Sequence, residues 1–163
     1  MTTSTVPPKH HDVSLLVAAI ARNTDNTGLG HFLESYRWSV LAQYVQATSL
    51  PRGHLLIAQG GQERALYFLE SGDLKVDTKT PAGLVHLAIL GPGTVVGEGS
   101  FFSGLPRNAS VTAYSDCKVW EMGLARFASL AHEHPSVALA LSQALGAVMA
   151  SRMLDVSKRL ALT

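Results

Sequence analysis

The sequence predicts a mainly β protein with flanking helices, in which an antiparallel β-barrel or sandwich lies between N-terminal helices and a long C-terminal helix. From residue 51 to residue 123, apolar runs are short and are separated by Gly, Pro, Ser and Asp, which is typical of strands joined by tight turns. On both sides of this region, apolar residues recur at helical spacing instead. With 163 residues, 47% of them apolar, the chain can bury one substantial core.

Seven apolar runs in the central region are interpreted as strands. They cover residues 55–57, 66–69, 74–76, 84–90, 94–96, 109–113 and 118–122. Glycine-containing turns separate them, for example at residues 60–61, 71–72 and 91–93. Closing these strands into a barrel would also remove exposed strand edges.

Helical spacing defines segments at both ends of the chain. Asp12 is a plausible cap for a first helix, and a stretch rich in Asn, Thr, Asp and Gly at residues 23–30 ends that helix. A second helix is predicted from about residue 35 to residue 47. After the strands, a short helix over 124–132 is separated by Pro135 from a long helix over 136–160.

Charge and composition argue against several classes of function. The formal net charge is +1 and no run of four or more Lys or Arg occurs, so we expect no binding of nucleic acid by bulk electrostatics. Cys117 is the only cysteine, which rules out an intramolecular disulfide. The apolar stretch 15–21 is short, follows Asp12 and lacks the basic flank of a signal peptide. No apolar run approaches the roughly 20 residues of a membrane span. We therefore expect a cytoplasmic protein.

The most informative segment runs from residue 97 to residue 111. Glu98 and Arg107 lie nine residues apart, between two predicted strands. Residues 100–103 can form one helical turn whose exposed N–H groups attract an anion, and Gly99 lets the backbone come close. Arg107 can pair bidentately with a phosphate, and Glu98 can accept a hydrogen bond from a hydroxyl group. This combination of an anion site and a hydroxyl acceptor predicts a ribose phosphate as ligand.

This segment resembles the phosphate-binding cassette of the cyclic-nucleotide-binding family, which includes the regulatory subunits of protein kinase A and the bacterial catabolite activator protein. The matching residues are Gly97, Glu98, Ser100, Pro106, Arg107, Ala109, Ser110 and Val111. Similarity extends to Gly53 and Gly60, to the strands over 66–76 and to the turn at 91–93, and covers about residues 38–160. One residue departs from the pattern, because Gly99 stands where the family has a large apolar residue. We expect Phe101 or Phe102 to supply that packing.

The resemblance implies a jelly-roll-like β-barrel that holds a cyclic mononucleotide. It places a cyclic-nucleotide-binding domain over residues 35–163, with the barrel at about 48–123 and C-terminal helices at about 124–161, after a tail and helix over 1–34. Glu98 would accept from the ribose 2′-hydroxyl and Arg107 would pair with the cyclic phosphate. The full set of implied ligand contacts is Gly97, Glu98, Gly99, Ser100, Arg107, Asn108 and Ala109.

Asn108 predicts a slight preference for cyclic GMP over cyclic AMP. In the family, kinase sites with Ala after the arginine tend to take cyclic AMP, and those with Thr tend to take cyclic GMP. A syn guanine would bring its 2-amino group near this side chain, whose carbonyl oxygen can accept a hydrogen bond. The bacterial activator does not follow this trend, because it has a polar Ser at this place and still responds to cyclic AMP.

The long C-terminal helix is expected to fold over the base and to signal by its movement. Candidate lid residues are Arg152, Asp155, Ser157 and Arg159, and the sequence does not choose among them. An apolar stripe on this helix also predicts a weak homodimer. Its members are Leu141, Leu145, Met149, Met153, Val156 and Leu160.

We expect a sensor that is not an enzyme and that needs no cofactor or metal, since no nucleophile has a recognisable catalytic neighbourhood. His132 and His134 are interpreted as a solvated helix end. Two alternatives remain open within the same fold. One is the sensory half of a catabolite-activator-type regulator, because the chain ends at Thr163, where that family continues into a helix-turn-helix. The other is a degenerate module that serves only protein interaction. In the preferred interpretation, an output domain or partner protein receives the signal.

Overall fold

The computed structural model describes residues 12–24 and 27–161, and for residues 27–28 and 156–161 it describes the backbone alone. The helices are α1 (Ser14–Arg22), α2 (Thr27–Phe32), α3 (Ser35–Leu41), α4 (Glu98–Ser103), α5 (Leu124–Glu133) and α6 (Pro135–Ala161). The strands are β1 (Gln46–Leu50), β2 (Leu55–Ile57), β3 (Ala65–Ser71), β4 (Leu74–Thr80), β5 (Gly83–Leu90), β6 (Val95–Val96), β7 (Ser110–Ala113) and β8 (Cys117–Gly123).

The strands form two four-stranded antiparallel sheets, with the orders β1-β8-β3-β6 and β2-β7-β4-β5. An apolar cluster joins them and includes Leu69 and Val119 from the first sheet and Leu74 and Val111 from the second. The mainly β fold class with flanking helices is therefore confirmed. The closed barrel is not formed, since no backbone ladder joins the two sheets within the described ranges.

The first strand, β1, was not predicted from the sequence. The second helix was expected to reach residue 47, but α3 ends at Leu41 and the chain enters β1. β1 pairs with β8 from Gln46 opposite Glu121 to Leu50 opposite Cys117. A ladder between distant segments thus outweighs the local helical spacing on which the prediction rested.

The helix α2 also differs from the prediction, because it lies in the stretch that was expected to be a loop. Its Leu29 is fully buried, and the following Leu33 is 4% exposed. Both belong to the core that α2 shares with α6. Burial of these side chains stabilises a short helix whose local composition disfavours one.

The helices share one core with the first sheet. It contains Leu16 of α1, Leu29 of α2 and Leu141 of α6, all fully buried, and the ring of Trp38 packs edge-on against Phe68 of β3 at 5.4 Å. The N-terminal helices are therefore held by the same apolar cluster as the C-terminal helix. The domain boundary between residues 34 and 35 stays a prediction.

The apolar stripe on α6 divides into a buried and an exposed part. Leu141 and Leu145 are fully buried in the chain's own core, so they are not available to a second copy. Met149 is half-buried and Met153 is 71% exposed. The side chains of Val156 and Leu160 lie outside the described residues. The prediction that this stripe forms a dimer interface is thus wrong for Leu141 and Leu145.

The same helix corrects the expectation that no apolar run approaches the length of a membrane span. Within the described residues, the segment Pro135–Asp155 has 21 residues and a mean hydropathy of 1.5, which suffices by length and composition. The core positions of Leu141 and Leu145 account for much of this apolar character without a membrane. The segment is therefore only weak support for a span.

Replacing Leu145 by Ala tests whether the stripe on α6 is core. We expect Leu145→Ala to lower the free energy of unfolding by about 2–5 kcal/mol, because it removes a fully buried side chain and leaves a cavity. Leu139→Ala, at a position on the same helix that is 61% exposed, should change it by less than about 0.5 kcal/mol. Urea denaturation at two protein concentrations makes the measurement. A loss for Leu145→Ala that appears only at the higher concentration would place this residue in an interface instead.

Candidate functional site

A cavity of about 520 Å³ lies between α4, the second sheet and the distal part of α6. Its lining includes all seven residues that the resemblance implied, namely Gly97, Glu98, Gly99, Ser100, Arg107, Asn108 and Ala109. Two of the four candidate lid residues, Arg152 and Asp155, also line it. The side chains of the other two, Ser157 and Arg159, lie outside the described residues. Two smaller cavities, of about 410 and 280 Å³, contain none of these residues.

Gly97 forms the sharp turn that joins β6 to α4. Its φ of +92° lies in the left-handed region that favours glycine. A Cβ atom here would stand 2.6 Å from the carbonyl oxygen of Ala65 and 2.8 Å from Nη1 of Arg107. The turn therefore requires glycine for its backbone conformation, and also because the guanidinium occupies the space of a side chain.

The backbone of Arg107 is held by the loop between β2 and β3. Its N–H donates to the carbonyl oxygen of Gly61 at 2.8 Å, and its own carbonyl oxygen accepts from the N–H of Gly60 at 2.7 Å. These two bonds fix the start of the segment that leads into β7. The side chain is thereby directed under the turn at Gly97.

The guanidinium of Arg107 is buried, with the residue only 4% exposed. Nη1 donates to the carbonyl oxygen of Gly97 at 2.7 Å, and Nη2 donates to that of Ala65 at 2.8 Å. Nε is buried without a hydrogen-bond partner. No acidic side chain among the described residues lies within ion-pair distance of this cation. Since a buried charge is costly without a counter-charge, this arrangement is suited to an anion entering from the cavity.

Glu98 is the first residue of α4 and is 8% exposed. One of its carboxylate oxygens, Oε1, forms an ion pair with Nη1 of Arg152. Nη2 of the same guanidinium donates to the carbonyl oxygen of Val95 in β6 at 2.7 Å. Arg152 thus contacts the acid of the cassette, and the role of base lid that the sequence analysis gave it stays a prediction.

The helix α4 is fixed from its C-terminal side. Arg64 donates through Nε and Nη2 to the carbonyl oxygen of Phe101, at 3.0 and 2.6 Å. Phe101 is 1% exposed and packs edge-on against Phe127 of α5 at 5.3 Å. Phe101 thus supplies apolar packing for α4, whereas a Cβ at Gly99 would meet no atom within 4 Å. No motif in the sequence predicts this contact of Arg64.

An apolar wall, which was not predicted from the sequence, completes the cavity. Its members are Ile57, Val76, Leu87, Ala88, Leu90, Val96 and Val111. They come from strands of both sheets, so only the assembled fold brings them together. The alternation of apolar and polar residues along β4 and β7 was the available signal, since alternate side chains of a strand share one face. Such a wall suits the flat, weakly polar faces of an aromatic base.

Asn108 follows Arg107 at the entrance of the cavity and is exposed. Its carbonyl oxygen accepts a hydrogen bond from Thr78 Oγ1 at 2.9 Å, which fixes its backbone against β4. By contrast, His132 and His134 do not line the cavity. The ring of His134 packs edge-on against Tyr44, whose hydroxyl donates to Glu133. This second group of polar residues joins α5 to the segment before β1.

The geometry therefore combines a buried cation, a buried carboxylate and an apolar wall in one cavity. The cation can hold an anionic group, and the carboxylate can accept from a hydroxyl group. The apolar wall leaves room for a further, less polar part of the same ligand.

Comparisons with known proteins agree with this geometry. The family model described as "Cyclic nucleotide-binding domain" matches residues 47–134. The chain is 29% identical over 135 residues to a CRP-like cAMP-activated global transcriptional regulator of Mycobacterium tuberculosis. The aligned region covers 82% of this chain and 58% of that protein. It is 35% identical over 109 residues to glutaminase 2 of Bradyrhizobium diazoefficiens, which covers 66% of this chain and 16% of that protein.

Among solved structures, the catabolite activator protein of Thermus thermophilus is similar, with a TM-score of 0.70 and 29% sequence identity. The match covers 83% of this chain and 62% of that one. The chain thus spans about 60% of the similar regulators and a much smaller part of the glutaminase. The matched family model covers more than half of the 163 residues and includes all the residues of the cassette. This chain belongs to the cyclic nucleotide-binding domain family.

Proposed function

We propose that this chain is a sensor that binds a cyclic mononucleotide in the cavity of about 520 Å³ and passes the signal on through α6. The observation that carries the proposal is the guanidinium of Arg107, which is buried at the cavity without an acidic partner among the described residues. The cyclic phosphate would supply the missing negative charge. A cavity of this volume falls in the range of roughly 300–1,000 Å³ that is usual for small-molecule sites.

The phosphate would also meet backbone donors of α4. The first hydrogen bond of this helix runs from the N–H of Phe101 to the carbonyl oxygen of Gly97. The N–H groups of Gly99 and Ser100 precede that bond, so the helix does not use them. Together with Arg107 they form a set of donors that suits the equatorial or axial oxygen of a cyclic phosphate.

The ribose would lie against Glu98. Its Oε1 is paired with Arg152, and a carboxylate oxygen has further lone pairs for the 2′-hydroxyl. The base would then extend along the apolar wall toward Leu87 and Ala88 of β5. Each part of the nucleotide thus has a partner of matching chemistry in the cavity.

Cyclic GMP is the preferred ligand in this proposal, by a small margin. The side-chain oxygen of Asn108 can accept from the 2-amino group of guanine. The carboxylate of Asp155 can accept from adjacent N–H groups on the same edge of that base, and adenine has no such pair of donors. The similar regulator of M. tuberculosis is described as cAMP-activated, which is the observation in favour of cyclic AMP as the second candidate.

Signal output would use the distal part of α6, where Met153 and Leu154 are 71% and 61% exposed. In this proposal these residues contact an output domain, a partner protein or a second copy in a weak homodimer. The protein acts in the cytoplasm, as a regulatory module and not as an enzyme. A sensory half of a longer catabolite-activator-type regulator is compatible with this role, and a domain that serves only protein interaction would leave the buried charge of Arg107 unexplained.

Removing the guanidinium tests the phosphate site. We expect Arg107→Ala to bind cyclic nucleotide at least tenfold more weakly, because a charge-assisted hydrogen bond contributes about 1.5–3 kcal/mol and about 1.4 kcal/mol corresponds to a factor of ten. Calorimetric titration with cyclic GMP and cyclic AMP makes the measurement.

Since Arg107 also bonds two carbonyl groups, thermal unfolding must show that the variant is folded, and Arg107→Lys provides a second variant that keeps the charge. Arg37→Ala is the control, because it removes an arginine that donates to the carbonyl oxygen of Phe32 and does not line the cavity. Unchanged affinity in folded Arg107→Ala would exclude this residue from the site.

Glu98→Gln tests the ribose site. An amide is a poorer acceptor than a carboxylate for the 2′-hydroxyl, so the variant should bind the ribonucleotide more weakly and discriminate less against its 2′-deoxy analogue. Titration of both ligands into both proteins gives the ratio of dissociation constants. Equal binding of the two ligands by the unmodified protein would remove the assigned role of Glu98.

Competition between the two nucleotides tests the base preference. We expect cyclic GMP to bind severalfold more tightly than cyclic AMP, because one neutral hydrogen bond contributes about 0.5–1.5 kcal/mol net. Asn108→Ala should reduce that preference, with Ser103→Ala, within the cassette segment but outside the cavity lining, as the control. A tenfold or greater preference for cyclic AMP would contradict the prediction.

A further inference from the structure

The distal part of α6 leaves the apolar core before it reaches the cavity. Ala144, Leu145 and Val148 are buried, whereas Met153, Leu154 and Asp155 are exposed. Beyond Met149, which is half-buried, no described side chain of the helix belongs to the apolar core. A polar contact takes over at this point.

That contact is the guanidinium of Arg152, which bridges two elements of the cassette. Nη2 donates to the carbonyl oxygen of Val95 at 2.7 Å, and Nη1 pairs with Oε1 of Glu98. Val95 is fully buried and lies in β6, where it pairs with Phe68 of β3. One arm of the guanidinium is thus anchored to a rigid strand, and because the group is planar, this anchor sets the direction of the other arm.

Glu98 needs such a partner. Its carboxylate is carried on a side chain with three rotatable bonds, and the residue is only 8% exposed. A buried carboxylate is costly unless it is paired, and a side chain with this freedom of rotation needs a fixed contact to keep one direction. Among the described residues, Arg152 is the cation within ion-pair distance of Glu98.

We infer that Arg152 is a positioning residue for ribose recognition: it holds the carboxylate of Glu98 aimed into the cavity, and it ties the order of distal α6 to that carboxylate. This inference rests on the proposed function, because it assigns Glu98 to the ribose hydroxyl. It differs from a lid role, in which Arg152 would leave Glu98 and contact the base. The same guanidinium contacts the carboxylate of Glu98 and belongs to distal α6, so it physically couples the ribose acceptor to the helix.

The test compares ribose and 2′-deoxyribose ligands in the full chain. We expect Arg152→Met to bind the cyclic ribonucleotide about five- to tenfold more weakly and to bind its 2′-deoxy analogue almost unchanged, because the loss acts through Glu98. In a Glu98→Gln background, Arg152→Met should have little further effect. Arg152→Lys keeps the positive charge without the two-armed guanidinium, so its affinity for the ribonucleotide should lie between those of the unmodified protein and Arg152→Met. Arg126→Met, at an exposed arginine of α5 outside the cavity, is the matched control.

A second measurement follows the helix itself. Amide hydrogen exchange of residues 149–155 should be faster in Arg152→Met than in the unmodified protein and in the Arg126→Met control. An equal loss of affinity for both ligands would assign Arg152 to the phosphate or the base and overturn the inference. Tighter binding by Arg152→Met would also overturn it, because Arg152 would then compete with the ligand. If Arg152→Met binds the ribonucleotide as tightly as the unmodified protein does, the inference fails and the proposed function stands. If the unmodified protein binds neither cyclic nucleotide, the proposed function fails as well.

Discussion

The guanidinium of Arg107 is buried, and a buried cation requires acceptors in fixed positions. The chain supplies two main-chain carbonyl groups, those of Gly97 and Ala65. Both contacts depend on the turn at Gly97, whose missing Cβ leaves the space that the guanidinium fills. Main-chain carbonyls carry only partial charges, so the full positive charge of Arg107 remains available to an anion. This arrangement fixes the turn before α4 beside the cavity.

The cassette helix α4 is fixed at both ends, by Arg107 and by a second arginine, Arg64. Arg107 holds the turn before α4, and Arg64 holds the carbonyl group of Phe101 near its end. The ring of Phe101 packs against Phe127 and thereby fixes α4 relative to α5. A site built in this way has its donors in place before a ligand arrives, which reduces the cost of ordering them on binding.

The helix α6 combines three physical roles along its length. Leu141 and Leu145 lie in the core, Arg152 forms a polar contact with Glu98 of the cassette, and Met153 is exposed. A single apolar stripe in the sequence therefore corresponds to different environments in the structure. The two parts of the helix are therefore held by different interactions, apolar packing in the proximal part and the polar contacts of Arg152 in the distal part.

The sequence by itself determined the fold class and the cassette, because the residues that identify them lie close together along the chain. Glu98 and Arg107 are nine residues apart, and the glycine and proline positions around them restrict how that short segment can turn. Tertiary structure alone decided the strand β1, the helix α2, the apolar wall of the cavity and the split of the α6 stripe. It also decided the partner of Arg152, which contacts Glu98 across 54 residues of sequence. Local spacing specifies which side chains share a face of a helix or strand, but contacts between distant segments depend on how those faces pack, and packing is a property of the whole fold.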